Sequence, residues 1–253
     1  MSNRPANNSW LICHKPNPDA RLRLFCFPYA GAGAMIYRPW ADILSPLVEV
    51  YSVNLPGRGT RMSEPPLTRL AEVVHRIADE IQFYLTKPFS FFGHSMGAIT
   101  SFELTHYLRS MNAPLPCHLF ISGRSAPQLR ETYPNTYKLP DREFIEELRR
   151  LNGTPHQLLE NPELMQLMLP ALRADFSVCQ TYEHTPKQPL TCPLTAFGGL
   201  QDTHISREQI EGWREQTTGA FVARMLPGDH FFLHSSQNIL LRLIAQELYQ
   251  LKG

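Results

Sequence analysis

Phe91-Phe92-Gly93-His94-Ser95-Met96-Gly97-Ala98 is the stretch that decides the fold, because an apolar run passes through Gly-x-Ser-x-Gly into residues that favour a helix. A serine in this setting lies on a sharp turn from strand to helix, the nucleophile elbow. Gly93 and Gly97 provide the small residues that this turn needs two positions before and after the serine. We therefore predict that Ser95 is a catalytic nucleophile at the end of a buried strand.

Other apolar runs alternate with helical patterns along the chain. The predicted strands are 22–28, 48–55, 89–93, 118–122, 194–197 and 221–226, and the predicted helices include 70–85, 98–108 and 239–251. This alternation predicts a mostly parallel sheet with helices on both faces, and with the elbow it predicts the α/β-hydrolase fold. A leading strand at 10–13 is predicted to form a hairpin with the strand at 22, because residues 15–19 are rich in turn formers.

Residues from about 134 to 189 interrupt the alternation, since they contain helical patterns and no convincing strand. We predict one domain over residues 1–253 with a helical lid inserted here; a packed helical excursion is the alternative. Asp141 and Asn161 are predicted helix caps, and Pro170 should kink or divide the second helix. The apolar residues of this segment either line a substrate channel or form plain core; they are Leu158, Leu164, Met165 and Met168.

A serine hydroxyl needs a general base that is oriented by a third group, and in this fold the chain order is serine, acid, histidine. His230 follows the last predicted strand in a glycine-containing loop, and His234 is the nearest of the alternatives among ten histidines. Asp202 follows a strand and a glycine turn, which is where the acid is expected. Two other aspartates are weaker candidates: Asp229 adjoins His230 and should diverge from it, while Asp175 falls on an insertion helix.

A tetrahedral intermediate needs two N–H donors for its oxyanion. We predict the N–H of Met96, directly after the nucleophile, and the N–H of Ala30, in the small-residue loop 28–34 (Pro-Tyr-Ala-Gly-Ala-Gly-Ala). A glycine-rich loop after a strand is also typical of phosphate cradles, but the chain continues with neither GxGxxG nor GKS/GKT. Nucleotide binding is therefore the minor interpretation.

Charge and composition narrow the kinds of partner, location and bound group that the protein can have. With 24 basic and 23 acidic residues the net charge is +1, which argues against binding to nucleic acid or an anionic membrane. No apolar run approaches the roughly 18 residues of a membrane span, and no signal peptide is evident, so we expect a cytoplasmic protein. The five cysteines are scattered and never in a CxxC spacing, so we expect neither a disulfide framework nor a zinc site. We also expect no other metal and no cofactor.

Five parts of the chain carry a resemblance to a known family. They are Phe27-Pro28-Tyr29-Ala30-Gly31, Leu55-Pro56-Gly57-Arg58-Gly59 with Glu64-Pro65-Pro66, Gly93-His94-Ser95-Met96-Gly97, Leu172-Arg173-Ala174-Asp175-Phe176 and Gly228-Asp229-His230-Phe231-Phe232. Together they resemble the type II thioesterases, which are stand-alone editing enzymes of nonribosomal peptide and polyketide synthases; the medium-chain thioesterase of animal fatty acid synthase is similar. One departure is visible at residues 30–33, where the family more often has paired glycines and a serine.

The resemblance implies that Ser95, Asp202 and His230 form a catalytic triad, with Ala30 and Met96 as the oxyanion hole. It also implies a mobile lid over an acyl channel and a partner, the acyl or peptidyl carrier domain whose phosphopantetheine arm bears the substrate. We expect the enzyme to act as a monomer. Arg58 is either a surface arginine of a structural loop or a contact for the phosphate of the arm.

Two competing functions remain. A carboxylesterase or lipase would use the same triad on small esters, although a thiolate leaves more easily than an alkoxide. A catalytically silent binding module would keep the pocket and lose a catalytic residue, whereas all three triad candidates are present here.

Overall fold

A seven-stranded sheet in the order β1-β3-β2-β4-β5-β6-β7 forms the centre of the computed structural model, which describes residues 9–129, 135–151, 153 and 159–250. The strands are β1 (Leu11–Cys13), β2 (Leu22–Phe27), β3 (Val48–Val53), β4 (Phe89–His94), β5 (His118–Ser122), β6 (Leu194–Gly199) and β7 (Phe221–Leu226). All neighbours are parallel except β1 and β3. The predicted α/β-hydrolase fold is confirmed.

Helices cover both faces of this sheet. They are α1 (Arg38–Leu44), α2 (Leu70–Ile81), α3 (Met96–Ser110), α4 (Asp141–Leu151), α5 (Pro162–Gln180), α6 (Arg207–Glu211), α7 (Phe232–Ser235) and α8 (Gln237–Gln250). Side chains alternate along each strand, so Phe25 and Phe91 join the core beneath α2 and α3, while Leu24 and Phe92 join the core beneath α1 and α8. Two apolar cores therefore flank strands that are buried on both sides.

The strand at Leu11–Cys13 exists, but the predicted hairpin with β2 is wrong. β1 pairs antiparallel with β3, with Leu11 opposite Val53. Asn17, within the turn-rich segment, donates its backbone N–H to Oε1 of Glu49, which lies on β3. Turn-forming residues determine that the chain reverses, and they do not determine which strand it then pairs with.

The insertion between β5 and β6 contains α4 and α5, and no strand occurs in its described parts. The side chain of Asn161 accepts from the N–H of Leu164 at 3.1 Å, so the predicted cap is present. Helix α5 continues through Pro170, so of the two predicted outcomes, a kink or a division, the division does not occur. The buried neighbours Leu169 and Leu172 hold both halves of the helix in one core, which offsets the cost of a proline inside it.

The apolar residues of the insertion form a third core around Phe144 and Leu148. Met165 belongs to this core and Met168 packs against it, whereas Leu164 is exposed and Leu158 lies outside the described residues. Within the described parts of the chain, none of the helices has the length and apolar character that crossing a bilayer requires.

Candidate active site

Ser95 lies on a strained turn between β4 and α3. Its φ of 52° and ψ of −109° place it outside the conformations that side chains usually allow. A Cβ on Gly93 would lie 2.1 Å from the carbonyl oxygen of Gly97, and a Cβ on Gly97 would lie 2.0 Å from that of Phe27. The two glycines are therefore required by backbone contacts, as the sequence indicates, and the half-buried Ser95 is held at the carboxyl end of the sheet.

Asp202 and His230 follow the neighbouring strands β6 and β7 and meet at the same edge of the sheet. Nδ1 of His230 lies 2.7 Å from Oδ2 of Asp202, where a protonated Nδ1 donates to the carboxylate. Oδ1 of Asp202 accepts the backbone N–H groups of His204 and Ile205 at 2.8 and 3.1 Å. Burial acts to raise the pKa of this carboxyl, but the interactions with His230 and the two N–H groups lower it overall.

The loop after β7, which contains His230, also lies against the elbow. The imidazole of His94, one residue before the serine, lies 5.2 Å from that of His230 between ring centroids, and its Nδ1 is 2.9 Å from Oγ of Ser122. Burial, together with His230 and His234, holds the pKa of His94 well below its ordinary value, so this imidazole stays neutral. The structure thus brings the predicted serine, acid and histidine to one edge of the sheet.

The alternative residues have other partners. Nε2 of His234 lies 2.9 Å from the hydroxyl of Tyr29. The carboxylate of Asp229 accepts the backbone N–H of Phe231 at 2.8 Å, which directs it away from His230. Asp175 pairs with Arg58. The geometry therefore favours His230 and Asp202 over each of them.

The two predicted oxyanion donors lie on adjacent parts of the backbone. Met96 begins α3, and the first N–H groups of a helix have no acceptor within it. The 28–34 loop, which contains Ala30, leaves β2 beside β4, with Phe27 paired to Gly93. The close approach of Gly97 to the carbonyl groups of Phe27 and Pro28 brings the start of α3 against the beginning of this loop.

Arg58 is buried, with 3% of its surface exposed, so the expectation of a surface arginine is wrong. Its guanidinium makes two hydrogen bonds to Asp175 of α5, Nη1 to Oδ2 at 2.5 Å and Nη2 to Oδ1 at 2.7 Å. The same Oδ2 accepts the N–H of Gly31 at 2.7 Å. Sequence reasoning found both residues within recurring motifs and missed their pairing, because 117 residues separate them along the chain.

The arrangement is suited to acyl transfer, with a strained serine, a histidine oriented by a carboxylate and a helix that begins directly after the serine. Among the described residues, no three His, Cys, Asp or Glu side chains come together in the manner of metal ligands. The insertion also borders the site, because a Cβ on Gly153 would lie 2.4 Å from Cζ of Phe231, the neighbour of His230.

Several known proteins are similar over nearly the whole chain. A family model described as the thioesterase domain matches residues 22–248. The gramicidin S biosynthesis protein GrsT of Aneurinibacillus migulanus is 46% identical over 241 residues, which are 95% of this chain and 94% of that protein. Thioesterase PikA5 of Streptomyces venezuelae is 36% identical over 257 aligned positions, covering 100% of this chain and 91% of that protein. Among solved structures, the type II thioesterase BorB from the borrelidin biosynthetic cluster has a TM-score of 0.88 at 34% identity, covering 97% of this chain and 100% of BorB.

Proposed function

The chain belongs to the thioesterase domain family, as a type II thioesterase, and from that premise we propose that it removes acyl or aminoacyl groups from the phosphopantetheine arms of carrier domains. The carrier domains are those of a nonribosomal peptide or polyketide synthase, and the groups removed are stalled or misprimed ones. The observation that carries the proposal is the hydrogen bond between His230 and Asp202 beside the elbow that presents Ser95.

The proposed reaction has two halves. Oγ of Ser95 attacks the thioester carbonyl while Nε2 of His230 takes the hydroxyl proton, and the oxyanion is held by the N–H groups of Ala30 and Met96. Collapse of the tetrahedral intermediate breaks the carbon–sulfur bond, and the leaving thiolate receives the proton from His230. A water molecule, deprotonated by the same imidazole, then attacks the acyl-enzyme, and the imidazolium gives its proton to Oγ of Ser95 as the carboxylic acid is released.

Asp202 supports both halves without taking a proton. Its carboxylate fixes Nδ1 of His230 as the protonated nitrogen, which leaves Nε2 free to act as base, and its charge stabilises the imidazolium that forms. The lowered pKa of Asp202 keeps that charge in place at neutral pH. No bound group is needed for any step, because the phosphopantetheine arm arrives with the substrate.

Three alternatives have less support, although two of them would use the same triad. A carboxylesterase or lipase would act on oxygen esters, and a medium-chain fatty acyl thioesterase would differ in the acyl chain that it accepts. A silent binding module would have no use for the Asp202–His230 pair. The names of the similar proteins, with their gramicidin S and borrelidin contexts, support the synthase-associated activity.

The test compares one acyl chain on a carrier protein, on N-acetylcysteamine and in an oxygen ester. We expect the carrier thioester to give the highest kcat/KM, Ser95→Ala to lose hydrolysis of all three, and a fluorophosphonate to label wild-type protein at Ser95. Ser110→Ala is the matched control, because this exposed serine lies on α3 and its hydroxyl donates to the carbonyl of Tyr107. A clear preference for the ester would overturn the thioesterase assignment, and undiminished hydrolysis by Ser95→Ala would overturn the mechanism.

A further inference from the structure

A buried ion pair joins the insertion to the 28–34 loop. Arg58, which follows β3, and Asp175, in the second half of α5, each have 3% of their side chains exposed. Their two parallel hydrogen bonds, at 2.5 and 2.7 Å, form the bidentate geometry that fixes both position and angle. Attraction by the Asp175 carboxylate outweighs the effect of burial and raises the pKa of Arg58, so the guanidinium is charged.

Both partners of this pair also bind the backbone of the loop. Oδ2 of Asp175 accepts the N–H of Gly31 at 2.7 Å, and Nη1 of Arg58 donates to the carbonyl of Ala32 at 3.2 Å. Gly31 has a φ of 83°, and a Cβ at this position would lie 2.6 Å from Cδ2 of Leu172, one turn before Asp175 on α5. Two peptide groups of the loop, the ones on either side of the Gly31–Ala32 peptide, are therefore fixed by one ion pair, and α5 lies directly against the loop at Gly31.

The bond between Gly31 and Asp175 removes one loop N–H from the possible donors to an oxyanion. Because the N–H of Gly31 already donates to Asp175, it is not available to an oxyanion, and the orientation of its peptide restricts the backbone at Ala30. The paired Arg58 also neutralises a carboxylate that would otherwise oppose negative charge developing nearby. We propose that Arg58 and Asp175 are positioning residues that hold the 28–34 loop so that the N–H of Ala30 points at the oxyanion, an inference that rests on the proposed function.

A purely structural role for the pair makes a different prediction. Replacing a buried ion pair by apolar residues of similar volume is often neutral for folding, so a pair kept for stability alone is dispensable once both charges are removed. A pair that positions the loop is not dispensable, because no apolar side chain can accept the N–H of Gly31. The double variant Arg58→Met/Asp175→Leu therefore separates the two roles.

The experiment measures hydrolysis of octanoyl N-acetylcysteamine thioester by full-length variants. For Arg58→Met/Asp175→Leu we expect kcat to fall by about 10- to 100-fold with KM within about twofold, because a displaced oxyanion donor should cost less than the roughly 10²- to 10³-fold that removal of one costs. The fluorophosphonate should label Ser95 more slowly but to completion, which shows that the protein is folded. Arg58→Met/Asp175→Asn keeps an oxygen that can accept from Gly31, and we expect it to recover much of the lost kcat.

The matched control is Arg23→Met/Glu49→Leu. Arg23 and Glu49 form a second buried ion pair, at 3.0 Å, near the opposite end of β2 from the 28–34 loop. We expect this variant to retain kcat within about twofold. The positioning role is overturned if the Met/Leu variant at 58 and 175 keeps kcat within twofold of wild type, or if the Met/Asn variant is no better than it. A wild type that neither hydrolyses the thioester nor reacts with the phosphonate instead overturns the proposed function and this inference together.

Discussion

Asp202 accepts three hydrogen bonds, one from the imidazole of His230 and two from the backbone N–H groups of His204 and Ile205. The two backbone hydrogen bonds hold Oδ1 in place. The carboxylate is thereby oriented so that Oδ2 faces the imidazole of His230. At the scale of a single residue, the negative charge of Asp202 and the orientation of its side chain can therefore be tested separately. An amide at the same position would keep the shape of the side chain and lose the charge.

We predict that Asp202→Asn lowers kcat by about 10³- to 10⁴-fold with little change in KM. The amide cannot stabilise an imidazolium, and its NH₂ group favours the imidazole tautomer in which Nε2 carries the proton and cannot act as base. Steady-state hydrolysis of the N-acetylcysteamine thioester measures both constants. The matched control is Asp229→Asn, since Asp229 adjoins His230 and its carboxylate accepts from Phe231 N–H instead. Equal losses in the two variants would contradict the assignment of the acid.

At the scale of elements, the elbow depends on how closely α3 approaches β2. A Cβ on Gly97 would lie 2.0 Å from the carbonyl oxygen and 2.5 Å from the carbonyl carbon of Phe27. Both are backbone atoms of a buried central strand, so no rotamer change relieves the contact. We predict that Gly97→Ala destabilises the fold by about 3 kcal/mol or more, because the whole helix must move away from the sheet. Urea denaturation at neutral pH measures this change.

Gly33→Ala is the control for that prediction. The backbone at Gly33 is extended, with a φ of −98°, and no atom lies within 4 Å of a Cβ placed there. A methyl group in open space at an allowed φ reduces the freedom of the unfolded chain, so we expect a gain of about 0.5 kcal/mol. A Gly97→Ala variant as stable as Gly33→Ala would mean that the helix and strand are not held as closely as the structure indicates.

The sequence predicted elements well where local composition alone determines them. Apolar runs bounded by glycine or proline gave the positions of the parallel strands, and the elbow motif located Ser95 because backbone contacts leave no alternative to Gly93 and Gly97. Partners distant along the chain were not predictable in this way. The pairing of β1 with β3, and of Arg58 with Asp175, depends on tertiary packing for which no local pattern carries a signal.

At the scale of the whole molecule, two apolar cores bury histidines that take no part in the proposed chemistry. His118 is 4% exposed, its Nε2 lies 2.9 Å from Oγ1 of Thr195, and its ring stacks on Phe120. Burial lowers the pKa of His118 to about 4. Burial, together with the charges of Lys187 and Arg109, lowers the pKa of His106 to about 3. Both imidazoles are therefore held neutral in the folded protein under conditions that protonate them in the unfolded chain.

This difference makes the fold sensitive to acid. A histidine in the unfolded chain gains its proton near pH 6.5, whereas folded His118 does so only near pH 4, so between these values the unfolded state binds more protons. The contribution of His118 to the free energy of unfolding is thus fully present above pH 6.5, and it is lost progressively as the pH falls towards 4. At pH 5 the loss from one such histidine is about 2 kcal/mol.

We predict that His118→Gln loses less stability than wild type between pH 7.5 and pH 5.0, by about 2 kcal/mol, when both are unfolded with urea. Glutamine keeps a polar group able to bond to Thr195 and has no proton to gain, so this one contribution to acid sensitivity disappears while that of His106 remains. Loss of the ring contact with Phe120 should lower the stability of the variant by an amount that does not depend on pH. The difference in stability between wild type and variant at pH 7.5 and at pH 8.5, where the histidine is neutral in both states, measures that amount. An unchanged difference between the two proteins from pH 8.5 down to pH 5.0 would show that His118 is protonated in the fold as readily as in the unfolded chain, contrary to its burial in the sheet.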